Sequence, residues 1–277
     1  NHTISAFQFA DKKDWNNALA HARATGDSAL IKLISWQYAL DTDSGAGFAE
    51  IVRFIDANPD WPDQKKLRMR AEQALRDDNV PDNDIVAWFG DESPITGIGK
   101  FALAEALRRS RLADAERINA LVREAWEFGD FDEAQEKAIL SGYGKILTQS
   151  DHAARTSRLL WEDKTAPAKR MLPLLPDDVE KLAKARIALI TGSKIADAQV
   201  LLVPSKYKSN PGLQYDRMRY RAKKNKDKAV REILLATPAN PPYPEKWWKY
   251  REAQVREAIG EKKYGEALKL LSRHAQT

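Results

Sequence analysis

Cysteine is absent from all 277 residues, which excludes disulfides, thiol catalysis and cysteine-based zinc sites. The compartment stays open, because many secreted proteins also lack cysteine. The histidines His2, His21, His152 and His274 lie far apart in sequence, and no two form an i, i+4 pair. A histidine metal site is not expected, and neither is any cofactor. Long apolar runs are missing too. Nothing approaches the roughly 20 residues that cross a bilayer, so no transmembrane segment is expected. No charged start followed by an apolar stretch marks a secretion signal. The chain opens on Asn1-His2-Thr3 without methionine, which reads as a mature or trimmed terminus. Alternating β-branched stretches, the mark of strands, are lacking as well.

Charge of both signs is plentiful. The 45 Lys and Arg against 40 Asp and Glu give a net charge of +5, interspersed along most of the chain. That bias is compatible with an acidic partner and specifies none. Apolar residues recur at helical spacing: Trp15, Ala18, Leu19 and Ala22 form one stripe, and Phe48, Ile51, Val52 and Ile55 another. The Gly26-Asp27 pair breaks the first run. The second must stop before Pro59, because proline disfavours helical backbone in the residue before it. Pro62 suits the first turn of the helix that carries Leu67 and Ala71.

A second regularity overlies the first. Acid-alanine openings recur at Asp114-Ala115, Asp132-Glu133-Ala134, Asp197-Ala198, Asp227-Lys228-Ala229 and Glu266-Ala267. An acid favours a helix N-terminus, and a small residue lets a neighbouring helix approach. Ala198, Ala229 and Ala267 are spaced by 31 and 38 residues, bracketing the roughly 34 of a tetratricopeptide-type hairpin. The expectation is an all-α fold: a right-handed α-superhelix of antiparallel helix pairs, horseshoe or ring shaped. It is taken as one domain over residues 1–277, with a change of direction near 173–176.

Several stretches invite a chemical reading. WFGDESPITGIGK, residues 88–100, holds Asp91, Glu92 and Ser93 and a glycine-flanked Lys100. A general acid needs burial and a partner that stabilises developing charge, whereas Glu92 sits between Gly90 and Pro94 in a turn, with Ser93 suited to cap the next helix. A phosphate loop needs Gly, four residues, Gly-Lys and Ser or Thr; Pro94 and Phe101 occupy the wrong places. Asp151-His152 with Ser150 and Ser157 lacks an oxyanion hole and reads as helix capping. No catalytic residue is assigned. Trp36, Trp88, Trp126 and Trp161 close apolar runs and read as core. Trp247-Trp248 differs, because adjacent helix positions cannot both face one core. The densest basic run, Arg217, Arg219, Arg221, Lys223, Lys224, Lys226 and Lys228, is a solvated helix end or an anion-binding patch. Nucleic acid is not the expected partner, for want of a glycine-aromatic RNA-binding motif. The substrate-contacting candidates are Arg217, Arg219, Arg221, Lys223, Trp247 and Trp248.

Phe54-Ile55-Asp56-Ala57-Asn58-Pro59-Asp60-Trp61-Pro62, preceded by Leu33-Ile34-Ser35-Trp36 and followed by Arg70-Ala71-Glu72, resembles the N-terminal superhelical region of soluble lytic murein transglycosylases. Further matches follow in order: Trp88-Phe89, Ser93-Pro94-Ile95-Thr96-Gly97-Ile98-Gly99, Val122-Arg123-Glu124-Ala125-Trp126, Asp151-His152-Ala153-Ala154-Arg155, Arg158-Leu159-Leu160-Trp161, and Pro211-Gly212-Leu213-Gln214-Tyr215-Asp216-Arg217. The resemblance implies a periplasmic protein in which helices frame a lysozyme-like domain. That domain cleaves the MurNAc–GlcNAc bond of peptidoglycan with a 1,6-anhydro product. The family's catalytic arginine-x-glutamate-serine and glycine-leucine-methionine-glutamine stretches do not occur here, so these residues are expected to be the scaffold, inactive alone, with glycan strands as partner. The other expectation is a stand-alone helical-repeat adaptor that binds an envelope protein.

Overall fold

The computed structural model describes residues 1–273, so His274 lies outside the described residues. Every regular element among them is helical, and the all-α expectation holds. The chain divides into two compact units, Asn1–Ile146 and Leu147–Thr277.

The first unit contains α1 (His2–Asp11), α2 (Trp15–Thr25), α3 (Ser28–Leu40), α4 (Phe48–Ala57), α5 (Gln64–Ala74), α6 (Asp82–Phe89), α7 (Gly97–Ser110), α8 (Ala115–Phe128) and α9 (Glu133–Tyr143). Neighbours such as α1 and α2, α4 and α5, and α7 and α8 pack together; α1 also meets α3, α3 meets α5, and α5 meets α7. Contact confined to near neighbours in the chain is the pattern of a helical-repeat array.

Local chemistry sets these boundaries. Gly26 ends α2 in a left-handed conformation, φ 69°, where a side chain would be strained. The next residue, Asp27, starts α3 by accepting from the amides of Ala29 and Leu30 at 2.9 and 3.3 Å. Asp114 and Asp132 cap α8 and α9 in the same way, accepting from Arg117 and Gln135 amides at 2.9 and 2.8 Å. The helix α4 stops at Ala57, ahead of Asn58-Pro59. In the turn that follows, Pro59 and Pro62 are exposed, and Trp36 Nε1 donates to the Pro62 carbonyl at 3.1 Å. Lys32 lies 5.1 Å from the centre of the half-buried Trp61 ring. The expected stripe is buried as Trp15, Ala18 and Ala22, joined by Ala6, Leu30 and Ile34. Trp126 is wholly buried on α8.

The second unit contains α10 (Gln149–Trp161), α11 (Thr165–Met171), α12 (Asp177–Ile190), α13 (Ala196–Leu201), α14 (Pro211–Lys223), α15 (Asp227–Ala236), α16 (Pro244–Gly260) and α17 (Tyr264–Leu271). Single 3-10 turns occupy Leu172–Leu174 and Ser205–Tyr207. Pro211 and Pro244 open α14 and α16, where a missing amide donor loses no helical bond. The segment 173–176 joins α11 to α12 inside this unit. Its core is aromatic: Trp161, Tyr215, Met218, Leu234 and Trp247 share one cluster. No helix among the described residues is long and apolar enough to cross a membrane.

Candidate functional site

WFGDESPITGIGK becomes the end of one helix, a turn and the start of the next. Trp88 is half-buried, edge-on to Phe48 at 5.0 Å, with the Arg68 guanidinium 4.8 Å from its ring centre. Asp91, Glu92 and Ser93 are exposed, and Glu92 pairs with Arg68. Ser93 is not the cap. That place belongs to Thr96, which directly precedes α7 and accepts from the Gly99 amide at 3.0 Å. Lys100 pairs with Glu124.

The buried acid of this region is Glu72 of α5, with no exposed surface. Its carboxylate accepts from the amides of Ile95 at 2.8 Å and Thr96 at 2.6 Å. A negative charge is thereby held at the positive end of α7 and supplied with donors. The glycines make room for this. A Cβ at Gly99 would stand 2.4 Å from Glu72 Oε2, and one at Gly97 would stand 2.3 Å from Gly129 Cα. Close approach, not phosphate binding, is what they provide. The signal for Glu72 in the sequence is faint: an acid next to the apolar stripe of Leu67 and Ala71.

Asp151 and His152 do not assemble a hydrolase site. Asp151 Oδ2 accepts from the Thr148 amide and hydroxyl at 2.6 and 2.7 Å, closing the start of α10. His152 is buried, and burial holds its pKa below the usual histidine value. His2 and His21, remote in sequence, meet with their Nδ1 atoms 2.8 Å apart. Among the described residues no three His, Cys, Asp or Glu side chains are grouped to hold a metal ion.

Two members of the basic run of α14, Arg219 and Arg221, are engaged by acids from elsewhere. Arg219 donates to both Asp163 oxygens at 2.8 and 2.6 Å and to Asp216 at 3.0 Å, and its guanidinium lies over the Tyr215 ring at 4.8 Å. Hydrogen bonds from Arg219 hold Asp163 below the ordinary carboxylate range. Arg221 donates to Asp197 at 2.9 Å. Arg217 is half-buried against Gln214 at 3.4 Å, and burial lowers its pKa. Lys223 is exposed, as are Lys226 and Lys228. Trp247 is fully buried and donates to the Pro242 carbonyl at 3.0 Å. Trp248, one position on, is half-buried. The adjacent pair thus divides between core and rim, as the 100° step between helix neighbours requires.

The first unit carries a concavity of about 270 Å³ flanked by Arg23, Tyr38, Glu50, Arg53 and Phe54. Tyr38 donates to Glu50 at 3.1 Å, while Arg23 and Arg53 are exposed. Aromatic walls and two exposed guanidiniums can receive a planar or anionic group. The chain matches no protein-family model, no curated protein and no solved structure.

Proposed function

We propose that this chain is the non-catalytic helical scaffold of a periplasmic lytic transglycosylase, framing or guiding peptidoglycan glycan strands toward an active site carried on a separate lysozyme-like domain. The observation that carries this reading is the ordered motif series, from Leu33-Ile34-Ser35-Trp36 to Pro211-Gly212-Leu213-Gln214-Tyr215. The roles of those residues support it: Trp36 ties the Pro62 turn, Gly97 and Gly99 admit backbone and carboxylate, and Trp161 and Tyr215 share a core. They pack the helices, and the exposed Glu92-Ser93 pair between α6 and α7 has no general-acid environment.

Digestion of purified sacculi tests the catalytic half. This chain alone releases no anhydromuropeptides; their release overturns the reading. Glycan contact is tested by co-sedimentation with peptidoglycan. Retention at low salt that fades as salt rises fits contact through Lys223 and its neighbours; absence of retention at low salt removes glycan contact from the proposal.

A second reading, a helical-repeat adaptor for an envelope protein, is favoured by the apolar group around α13. Ile195, Leu201 and Leu202 are 57%, 80% and 58% exposed, the kind of surface that marks protein contact. A pull-down from envelope extract that keeps one protein and no glycan would favour it.

A further inference from the structure

A hollow of about 270 Å³ lies in the first unit where α2, α3 and α4 meet. Its lining repeats at helical spacing: Leu19 and Arg23 on α2, Ser35 and Tyr38 on α3, Glu50 and Phe54 on α4. Residues three or four apart share one helix face, so three helices each turn a face to the same space. The floor is apolar, with Ala39, Ala46 and Ile51 buried. The space exceeds the roughly 150 Å³ of an engineered cavity that admits benzene, which leaves room for one ring and a small polar group.

Three of the lining side chains are charged: Arg23, Arg53 and Glu50. The carboxylate is already in use. Glu50 Oε2 accepts from the Tyr38 hydroxyl at 3.1 Å and from the Gly47 amide at 3.2 Å, which holds the Tyr38 ring in the wall and closes the first turn of α4. Glu50 stands three residues before Arg53, a spacing at which acid and arginine commonly pair on a helix, yet its partner is Tyr38. The guanidiniums are left over. Arg23 and Arg53 are exposed, and among the described residues neither side chain makes a hydrogen bond or ion pair. Other arginines of this unit are answered, as Arg68 is by Glu92 and Arg109 by Asp82.

Two cations and one engaged carboxylate leave the lining with one positive charge in excess. A single negative charge answers it, whereas a phosphate monoester carries more than one and brings the remainder against Glu50. A guanidinium offers paired N–H donors that match the two oxygens of a carboxylate.

We propose that this hollow binds a small monocarboxylate with an apolar ring or branched body, its carboxylate held by Arg23 and Arg53 and its body against Tyr38, Phe54 and Ile51. The scaffold reading neither requires this site nor depends on it.

Benzoate is the probe; benzamide lacks its charge, acetate lacks its ring, and phenyl phosphate carries additional charge. Titrated into the full 277-residue chain at low salt and followed by amide NMR, benzoate gives saturable shifts at Ser35, Ala39 and Phe54. It binds about tenfold tighter than benzamide, the margin by which charge-assisted hydrogen bonds exceed neutral ones. It also binds tighter than acetate and no more weakly than phenyl phosphate. Arg23→Gln and Arg53→Gln, at exposed helix positions, each keep the spectrum and lower benzoate affinity toward that of benzamide. Arg117→Gln, exposed on α8 and outside the lining of the hollow, leaves benzoate affinity unchanged. Benzamide or acetate binding as tightly as benzoate, tighter binding of phenyl phosphate, shifts that never saturate, or equal losses from Arg117→Gln and Arg53→Gln overturn the proposal.

Discussion

Among the described residues the first unit buries two glutamates, Glu72 and Glu136, and no arginine; the second buries Arg155, Arg158, Arg186, Arg231 and Arg251, with Asp216 as its buried acid. Both units face the same difficulty, helix ends whose amides and carbonyls lack partners. The first places a carboxylate against amides at the start of α7. The second places guanidiniums against carbonyls: Arg251 reaches Leu234 and Leu270 at 3.4 and 3.5 Å, near the ends of α15 and α17. Arg273 reaches Leu235 and Thr237 at 2.5 and 3.3 Å. Each sign of charge sits at the helix end that favours it. Aromatic faces meet guanidiniums in both units: Trp161 covers the buried Arg186 and Tyr215 the half-buried Arg219, while in the first unit Trp88 covers the half-buried Arg68.

The contrast breaks most sharply at Asp216. Asp216→Ala strands the buried Arg186 without its carboxylate, leaves Arg219 with Asp163 alone, and costs about 3–5 kcal/mol in urea unfolding followed by tryptophan fluorescence. A loss below about 1 kcal/mol would show that the aromatic faces suffice for the guanidiniums. In the first unit, Glu72→Ala removes two charge-assisted hydrogen bonds and costs about 2–3 kcal/mol. Gly99→Ala alone costs about 1–3 kcal/mol through overpacking, and that cost shrinks in the Glu72→Ala background, since the obstruction is the Glu72 carboxylate. Strict additivity in this double-mutant cycle would contradict the contact.

Smaller effects follow at the surface. Hydrogen bonds from Arg231 and Lys263 bring Glu261 down to about 2 from an ordinary 4.5. A depressed carboxylate stabilises fully above its unfolded value, and that contribution is lost as pH falls from 4.5 toward 2. Carboxyl NMR titration places the Glu261 midpoint near 2, and Arg231→Gln moves it up toward the ordinary range. Glu92→Gln, at an exposed pair, changes stability by less than about 0.5 kcal/mol; a larger loss in the same urea experiment would restore the glutamate-serine turn to attention.

Helix punctuation was legible in the sequence because it is local. Gly26-Asp27, Asn58-Pro59, Asp114 and Asp132 act on their own neighbours within a turn, and α2, α3, α4, α8 and α9 begin or end there. Trp247 and Trp248 were separable for the same reason. The electrostatics were not legible. Arg219 meets Asp163 across 56 residues and Arg186 meets Asp216 across 30, so the basic run of α14 looks unpaired in sequence while part of its charge is already neutralised by the fold. Thr96 displaced Ser93 as a cap because a cap must adjoin the first turn, a distinction of three residues that composition does not resolve. The two glycines before Lys100 signalled a tight backbone, but what they make room for, Glu72 of α5 and Gly129 just past the end of α8, comes from elsewhere in the chain.

Glu72 also ties two clocks together. The amides of Ile95 and Thr96 lie in a connection, where hydrogen exchange is ordinarily fast. Here they are held by a side chain rooted in the buried face of α5, and freeing them leaves a buried carboxylate whose other charged neighbour among the described residues is Arg68, 3.9 Å away. Their exchange should therefore keep pace with the opening of α5 instead of the fluctuations of the turn in which they sit.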